Sequence, residues 1–69
     1  MPIQHTKPFG IYHWDTFDNV TLLLHEADTL AEAWEWVKGH YGDRLRATGA
    51  DQADIVDLDG NIAQNFRIG

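Results

Sequence analysis

One segment constrains this chain more than any other: a single, fully punctuated helix signal set between two pairs of strand-like segments. Thr29-Leu30-Ala31-Glu32 is a capping box, in which the Thr29 hydroxyl accepts from the Glu32 amide and the Glu32 carboxylate reaches back. Asp28 puts an anion at the positive end of the helix dipole. Leu30, Ala33, Trp34, Val37 and Tyr41 follow at i, i+3, i+4, i+7 and i+11 and make one apolar stripe. Gly42 stands where a glycine in the left-handed region ends a helix. The pattern predicts a helix from Leu30 to Tyr41.

The flanking segments predict strands. Phe9-Gly10-Ile11-Tyr12-His13-Trp14 is aromatic and β-branched, Asp15 to Asn19 is rich in turn formers, and Val20 to His25 returns, which makes a hairpin. After a polar connection in which Leu45 is the one apolar anchor, Ala53 to Leu58 reads as a third strand. Asp59-Gly60 is a strong hairpin turn, and Ile62 to Ile68 returns as the fourth strand. The order β-β-α-β-β predicts an α+β fold with one helix packed on a mainly antiparallel four-stranded sheet. Residues 1–8 contain both prolines and read as a loose N-terminal arm; residues 9–69 form a single domain.

At 69 residues and without cysteine, such a domain has no disulfide to support a small core. A compact core, a His/carboxylate metal or a partner chain must compensate. The N-terminal residues contain no apolar signal region, and Leu22-Leu23-Leu24 is far too short to cross a bilayer, so a cytoplasmic setting is expected (the host cytoplasm if phage-encoded). Five Lys and Arg against eleven Asp and Glu argue against direct nucleic-acid binding. The acidic surplus itself reads as a solubility device.

One helix covers one face of a sheet, so the second face matters. If the first turn pairs Trp14 with Val20, then Gly10, Tyr12, Leu22 and Leu24 face the helix, and Phe9, Ile11, His13, Thr21, Leu23 and His25 lie opposite. That second face is half apolar. Either loops or the N-terminal arm fold over it, or it is a subunit interface. The expectation is a homo-oligomer with Phe9, Ile11, His13, Leu23 and His25 in the contact.

Candidate chemistry is sparse. Four histidines accompany many carboxylates, but no His-x-x-x-His or Glu-x-x-His pair falls on the helix, and His13 and His25 lie too far apart along the hairpin for one ion. Asp57-Leu58-Asp59-Gly60-Asn61 lacks the glycine phase and closing glutamate of an EF-hand. Asn19-Val20-Thr21 is a sequon without a secretory signal. Serine and cysteine are absent, and no threonine has a base at a meaningful spacing. No catalytic residue, cofactor or metal is therefore expected. Trp36 lies about 120° off the stripe, beside His40. It either packs over the sheet edge or anchors a partner. Arg44, Arg46 and Arg67 either sit in solvated salt pairs or bind a small anionic ligand.

The layout of Trp14-Asp15-Thr16-Phe17-Asp18-Asn19, the capped helix, and Gly49-Ala50-Asp51 leading to Ile55-Val56-Asp57-Leu58-Asp59-Gly60-Asn61 resembles small phage and prophage proteins of β-β-α-β-β order. In size and acidity the chain is also similar to phage counter-defence proteins of the anti-CRISPR type. The resemblance covers most of the chain in layout and carries over no functional residue. It implies a cytoplasmic, non-enzymatic binder acting on a host component. The expected function is thus a homo-oligomeric binding protein that blocks a host protein through its acidic and aromatic surface. A second expectation is an oligomer that sequesters a nucleotide-like small-molecule signal. A metal-binding or enzymatic domain is the third, disfavoured by the missing motifs.

Overall fold

The computed structural model describes residues 3–69; Met1 and Pro2, the first residues of the sequence-predicted arm, lie outside them. Its elements are β1 (Phe9–Asp15), β2 (Val20–Ala27), α1 (Leu30–Tyr41), one 3-10 turn (Gly42–Arg44), β3 (Asp51–Val56) and β4 (Ile62–Ile68). The strands form one sheet in the order β2-β1-β3-β4, and every neighbouring pair is antiparallel. This is the α+β arrangement of one helix on a four-stranded sheet that the sequence predicts. No helix among the described residues is long and apolar enough to cross a membrane.

The helix begins and ends where its local chemistry dictates. Thr29 is extended and its hydroxyl accepts from the Glu32 amide at 3.1 Å. Glu32 reaches back one residue further than a capping box requires, to the Asp28 amide at 3.4 Å. Gly42, at φ 52°, closes the last turn by donating its N–H to the Lys38 carbonyl. Ala33, Val37 and Tyr41 form the buried stripe, whereas Leu30 at the first helical position stays 37 % exposed. Trp34 and Trp36, about 200° apart on the helix, straddle that stripe. Trp34 meets Phe66 of β4 edge-to-face, with ring centroids 5.7 Å apart, and Trp36 overhangs β2.

The core lies between the helix and the central strands. Ile11 of β1, Ala53 and Ile55 of β3, and Ile68 of β4 pack with Ala27 against Ala33, Val37 and Tyr41. Leu45 bridges to Ile68 and closes one end of this cluster. β3 starts two residues before its sequence-predicted position and ends at Val56. There Asp57 turns the chain, its Oδ1 accepting from the Asp59 and Asn61 amides at 2.9 Å.

The faces of β1 are exchanged relative to the sequence expectation. The β1–β2 loop holds four residues, so Asp15, not Trp14, pairs with Val20, and Trp14 pairs with Thr21. A bulge between Ile11 and Tyr12 then shifts the register, pairing Ile11 with His25 and Tyr12 with Leu23. The one-residue slip puts Val20 and Leu22 on the face of Asp15 and His13, and the bulge keeps His25 on the face of Ile11. The helix packs on this face, so Phe9, Ile11, His13 and His25 lie on the helix-covered side. Of the residues expected in a subunit contact, Leu23 alone stands on the open one.

The open face has its own cover, because the arm is docked. His5 is 4 % exposed and lies over Gly10 and Tyr12, and Ile3 approaches Gly60. A Cβ on Gly10 would come within 2.5 Å of the His5 ring, so this approach requires glycine. Glu26 Oε1 accepts from the Thr6 amide at 2.6 Å and the Lys7 amide at 3.2 Å. Tyr12 and Val56 are buried as a result, at 2 % and 1 % exposure. The sequence-predicted loose arm is corrected to a strap over Gly10 and Tyr12 on the second face, while Phe9 and Ile11, expected in a subunit contact, pack with the helix.

Candidate functional site

Three surface features stand out, each assembled from residues distant in the sequence. The first is the β1–β2 loop. Asp15 Oδ1 accepts from the Phe17 amide at 2.9 Å and the Asp18 amide at 3.3 Å, which winds the loop tightly. Asn19 takes the left-handed conformation, φ 55°, that asparagine tolerates, and its Oδ1 accepts from the Trp14 indole at 3.4 Å. Thr16 donates its hydroxyl to Asp51 Oδ1 of β3 at 3.0 Å. These contacts hold Phe17 in water, 94 % exposed, beside Val20 at 44 % and Leu22 at 53 %.

The second feature runs along β2 and the adjacent side of α1. Trp36 stacks with two imidazoles: His25 at 4.8 Å with 3° between ring planes, and His40 at 4.5 Å with 12°. The i, i+4 spacing of Trp36 and His40 sets one contact, and the strand register supplies the other. His40 also meets Tyr41 edge-to-face at 4.7 Å.

Tyr41 continues into a polar relay. Its hydroxyl lies 2.8 Å from His13 Nδ1, and His13 Nε2 lies 3.5 Å from Asp51 Oδ2. With the Nε2 proton directed at the carboxylate, Nδ1 accepts from Tyr41. Hydrogen bonding from Thr16, followed by that from His13, holds the Asp51 carboxyl below its ordinary pKa. Burial pushes the Tyr41 hydroxyl up to about 12, against the opposing charge of Arg44, whose guanidinium sits 5.7 Å from the ring centre. A phenol shifted this way stays neutral. The relay ties the helix C-terminus to β1, β3 and the β1–β2 loop.

The third feature unites Arg44, Arg46 and Arg67. The Leu45–Ile68 bridge lays the chain after the 3-10 turn along the outer edge of β4, where the Arg46 amide donates to the Arg67 carbonyl at 3.1 Å. The sequence singled out the three arginines, and the bridge is what brings them to one corner. They do not meet Trp36 and His40, which lie over the opposite edge strand.

Among the described residues no group of three or more His, Asp or Glu side chains converges as a metal ion requires. Sequence reasoning missed Phe17, Val20 and Leu22 as surface residues. An aromatic inside a turn-forming run, Asp15-Thr16-Phe17-Asp18-Asn19, was the available signal, since nothing in a four-residue loop can bury it. Comparison of the chain with family models, with curated proteins and with solved structures finds no match, and its function is read from this geometry.

Proposed function

We propose that the chain is a non-catalytic binding protein that occupies and blocks a protein partner through the β1–β2 loop and the β2 flank of the helix. One observation carries the reading: Phe17 is 94 % exposed on a loop that four side-chain-anchored contacts hold rigid. Leaving a phenyl ring wet forgoes roughly 1.5–3 kcal/mol of burial that a partner pocket recovers. A ring already held in place loses little conformational entropy on docking. Val20 and Leu22 extend the apolar contact, and the His25–Trp36–His40 stack lies further along the same flank.

Asp15 and Asp18 beside Phe17, within a chain of net charge −6, call for a partner pocket with a basic rim. Small size, acidity and the β-β-α-β-β layout support a phage-type counter-defence setting in which that partner is a host protein.

The test is a photo-crosslinking phenylalanine analogue at position 17, irradiated in host lysate with unlabelled competitors. The expected result is one discrete adduct that wild-type chain suppresses and Phe17→Asp chain does not. Equal suppression by both competitors overturns the reading. An adduct between two copies of this chain reassigns the patch to self-association.

A further inference from the structure

We propose that Arg46 and Arg67, together with Trp14, form a binding site for a phosphate-bearing aromatic small molecule of the nucleotide class. The site shares the Trp14–Asn19 hydrogen bond with the Phe17 loop but uses the open face of the sheet and a different ligand, so either proposal can fail alone.

The argument starts from charge. Eleven carboxylates face five Lys and Arg in this chain, so an arginine has many candidate ion-pair partners. Yet the ion pairs among the described residues are His13–Asp51 and Lys38–Glu35, and neither involves an arginine. Each guanidinium instead makes one contact with a backbone carbonyl: Arg44 Nε with Gly69, Arg46 Nε with Asp43, and Arg67 Nη1 with Gly49, all at 3.4 Å. A carbonyl orients a guanidinium without neutralising it, and most of the five N–H donors of each fork remain unused.

Strand register concentrates the charge further. Arg46 and Arg67 both adjoin the bridged pair Leu45–Ile68, on the side of the pleat away from it, and face each other across neighbouring segments. Like charges in that position repel. A phosphate dianion is the chemistry that turns such repulsion into affinity, because two guanidinium forks can share its oxygens.

The register also supplies a flat apolar surface nearby. Trp14 pairs with Gln52 and Gln52 with Arg67, so the three lie in one transverse row on the open face, with Arg46 next beyond the edge. Trp14 is 38 % exposed, and its indole is anchored by Asn19. At the ordinary strand spacing, Trp14 and Arg67 stand roughly 10 Å apart at the backbone. A base stacked on the indole would pass its edge over the Gln52 amide and deliver its phosphate to Arg67 and Arg46. A long phosphate backbone would run from this corner onto acidic surface, which restricts the ligand to a small molecule.

The experiment is a two-dimensional amide, indole and guanidinium NMR titration of the intact chain with adenosine monophosphate, adenosine, inorganic phosphate and a single-stranded oligonucleotide. Saturable shifts at Trp14, Gln52, Arg46 and Arg67 are expected with adenosine monophosphate, with binding at least about tenfold weaker for adenosine. Arg46→Gln should lose about tenfold in affinity while its melting temperature equals or exceeds that of the wild type, since the substitution removes a like-charge pair. Trp14→Leu, with its fold checked by circular dichroism, should weaken the nucleotide and leave inorganic phosphate unchanged. Absence of saturable shifts at millimolar ligand, equal affinity for inorganic phosphate with no response at Trp14, unchanged affinity in Arg46→Gln, or tighter binding of the oligonucleotide each overturns the proposal.

Discussion

The Tyr12 hydroxyl lies 2.7 Å from Nδ1 of His5 while accepting the backbone N–H groups of Gln4 at 2.9 Å and His5 at 3.2 Å. Both acceptor positions of the phenolic oxygen are filled by amides, so its own proton goes to His5 Nδ1. The neutral imidazole then carries its proton on Nε2, which is buried without an acceptor. One hydroxyl thus organises the whole strap.

Tyr12→Phe removes that hydroxyl and leaves two amides and a ring nitrogen unsatisfied under the arm. Each buried orphan costs about 1–3 kcal/mol unless water reaches it, so the arm should release before that sum is incurred. The expected outcome is a loss of about 1–3 kcal/mol in denaturant midpoint, together with loss of amide-exchange protection at residues 4–7. An unchanged midpoint with unchanged protection would show that the strap is held by something other than Tyr12.

Acid should undo the same strap. The backbone amides of Thr6 and then Lys7 hold the Glu26 carboxyl below its ordinary pKa. A carboxyl depressed in the folded state contributes stability above its unfolded value and loses it as pH falls through the folded value. Protection of the Thr6 and Lys7 amides is therefore expected to disappear on acidification below the usual carboxylate range. In Glu26→Gln it should be low at every pH. A wild-type arm equally protected in acid and at neutrality contradicts this.

Ile11 and Leu22 mark the centre and the rim of one face of the sheet, since Leu22 pairs with His13. Ile11 is fully buried beneath α1, and Leu22 is 53 % exposed. Ile11→Ala should cost about 2–5 kcal/mol, and Leu22→Ala no more than about 0.5 kcal/mol. Equilibrium urea unfolding of both variants checks this, and equal costs would contradict a helix that covers Ile11 and leaves Leu22 open.

Alkali should act on Tyr41. Burial raises its pKa to about 12, above its ordinary value, so the folded state favours the neutral phenol. The associated stability is complete below the unfolded value and is lost as pH climbs through the folded one, a window of about 10 to 12. The ultraviolet difference between wild type and Tyr41→Phe should show this phenolate forming near pH 12 in folded protein. In denaturant it should form about two units lower. Identical titrations in the two states would mean that the ring is not enclosed.

The helix from Leu30 to Tyr41, the order of elements and the two hairpins were legible in the sequence because their causes are local. A threonine hydroxyl reaches an amide three residues on, a glycine accepts a left-handed angle, and an Asp-Gly pair turns. Side-chain alternation is local too, and it separates Gly10 and Tyr12 from Phe9, Ile11 and His13 along β1. Which face met the helix was not local. The helix packs on the face of Phe9 and Ile11, and a β1–β2 loop one residue shorter than expected brings Leu22 to that face beside His13. The same holds for the sites. Trp36 and His40 were visible as helix neighbours, but His25 joins them only through tertiary packing. Arg67 meets Arg46 because Leu45 finds room against Ile68, a contact between segments more than twenty residues apart. Local hydrogen bonding and backbone preference set this protein's elements; the search for burial among distant side chains set their faces, their strap and their surface chemistry.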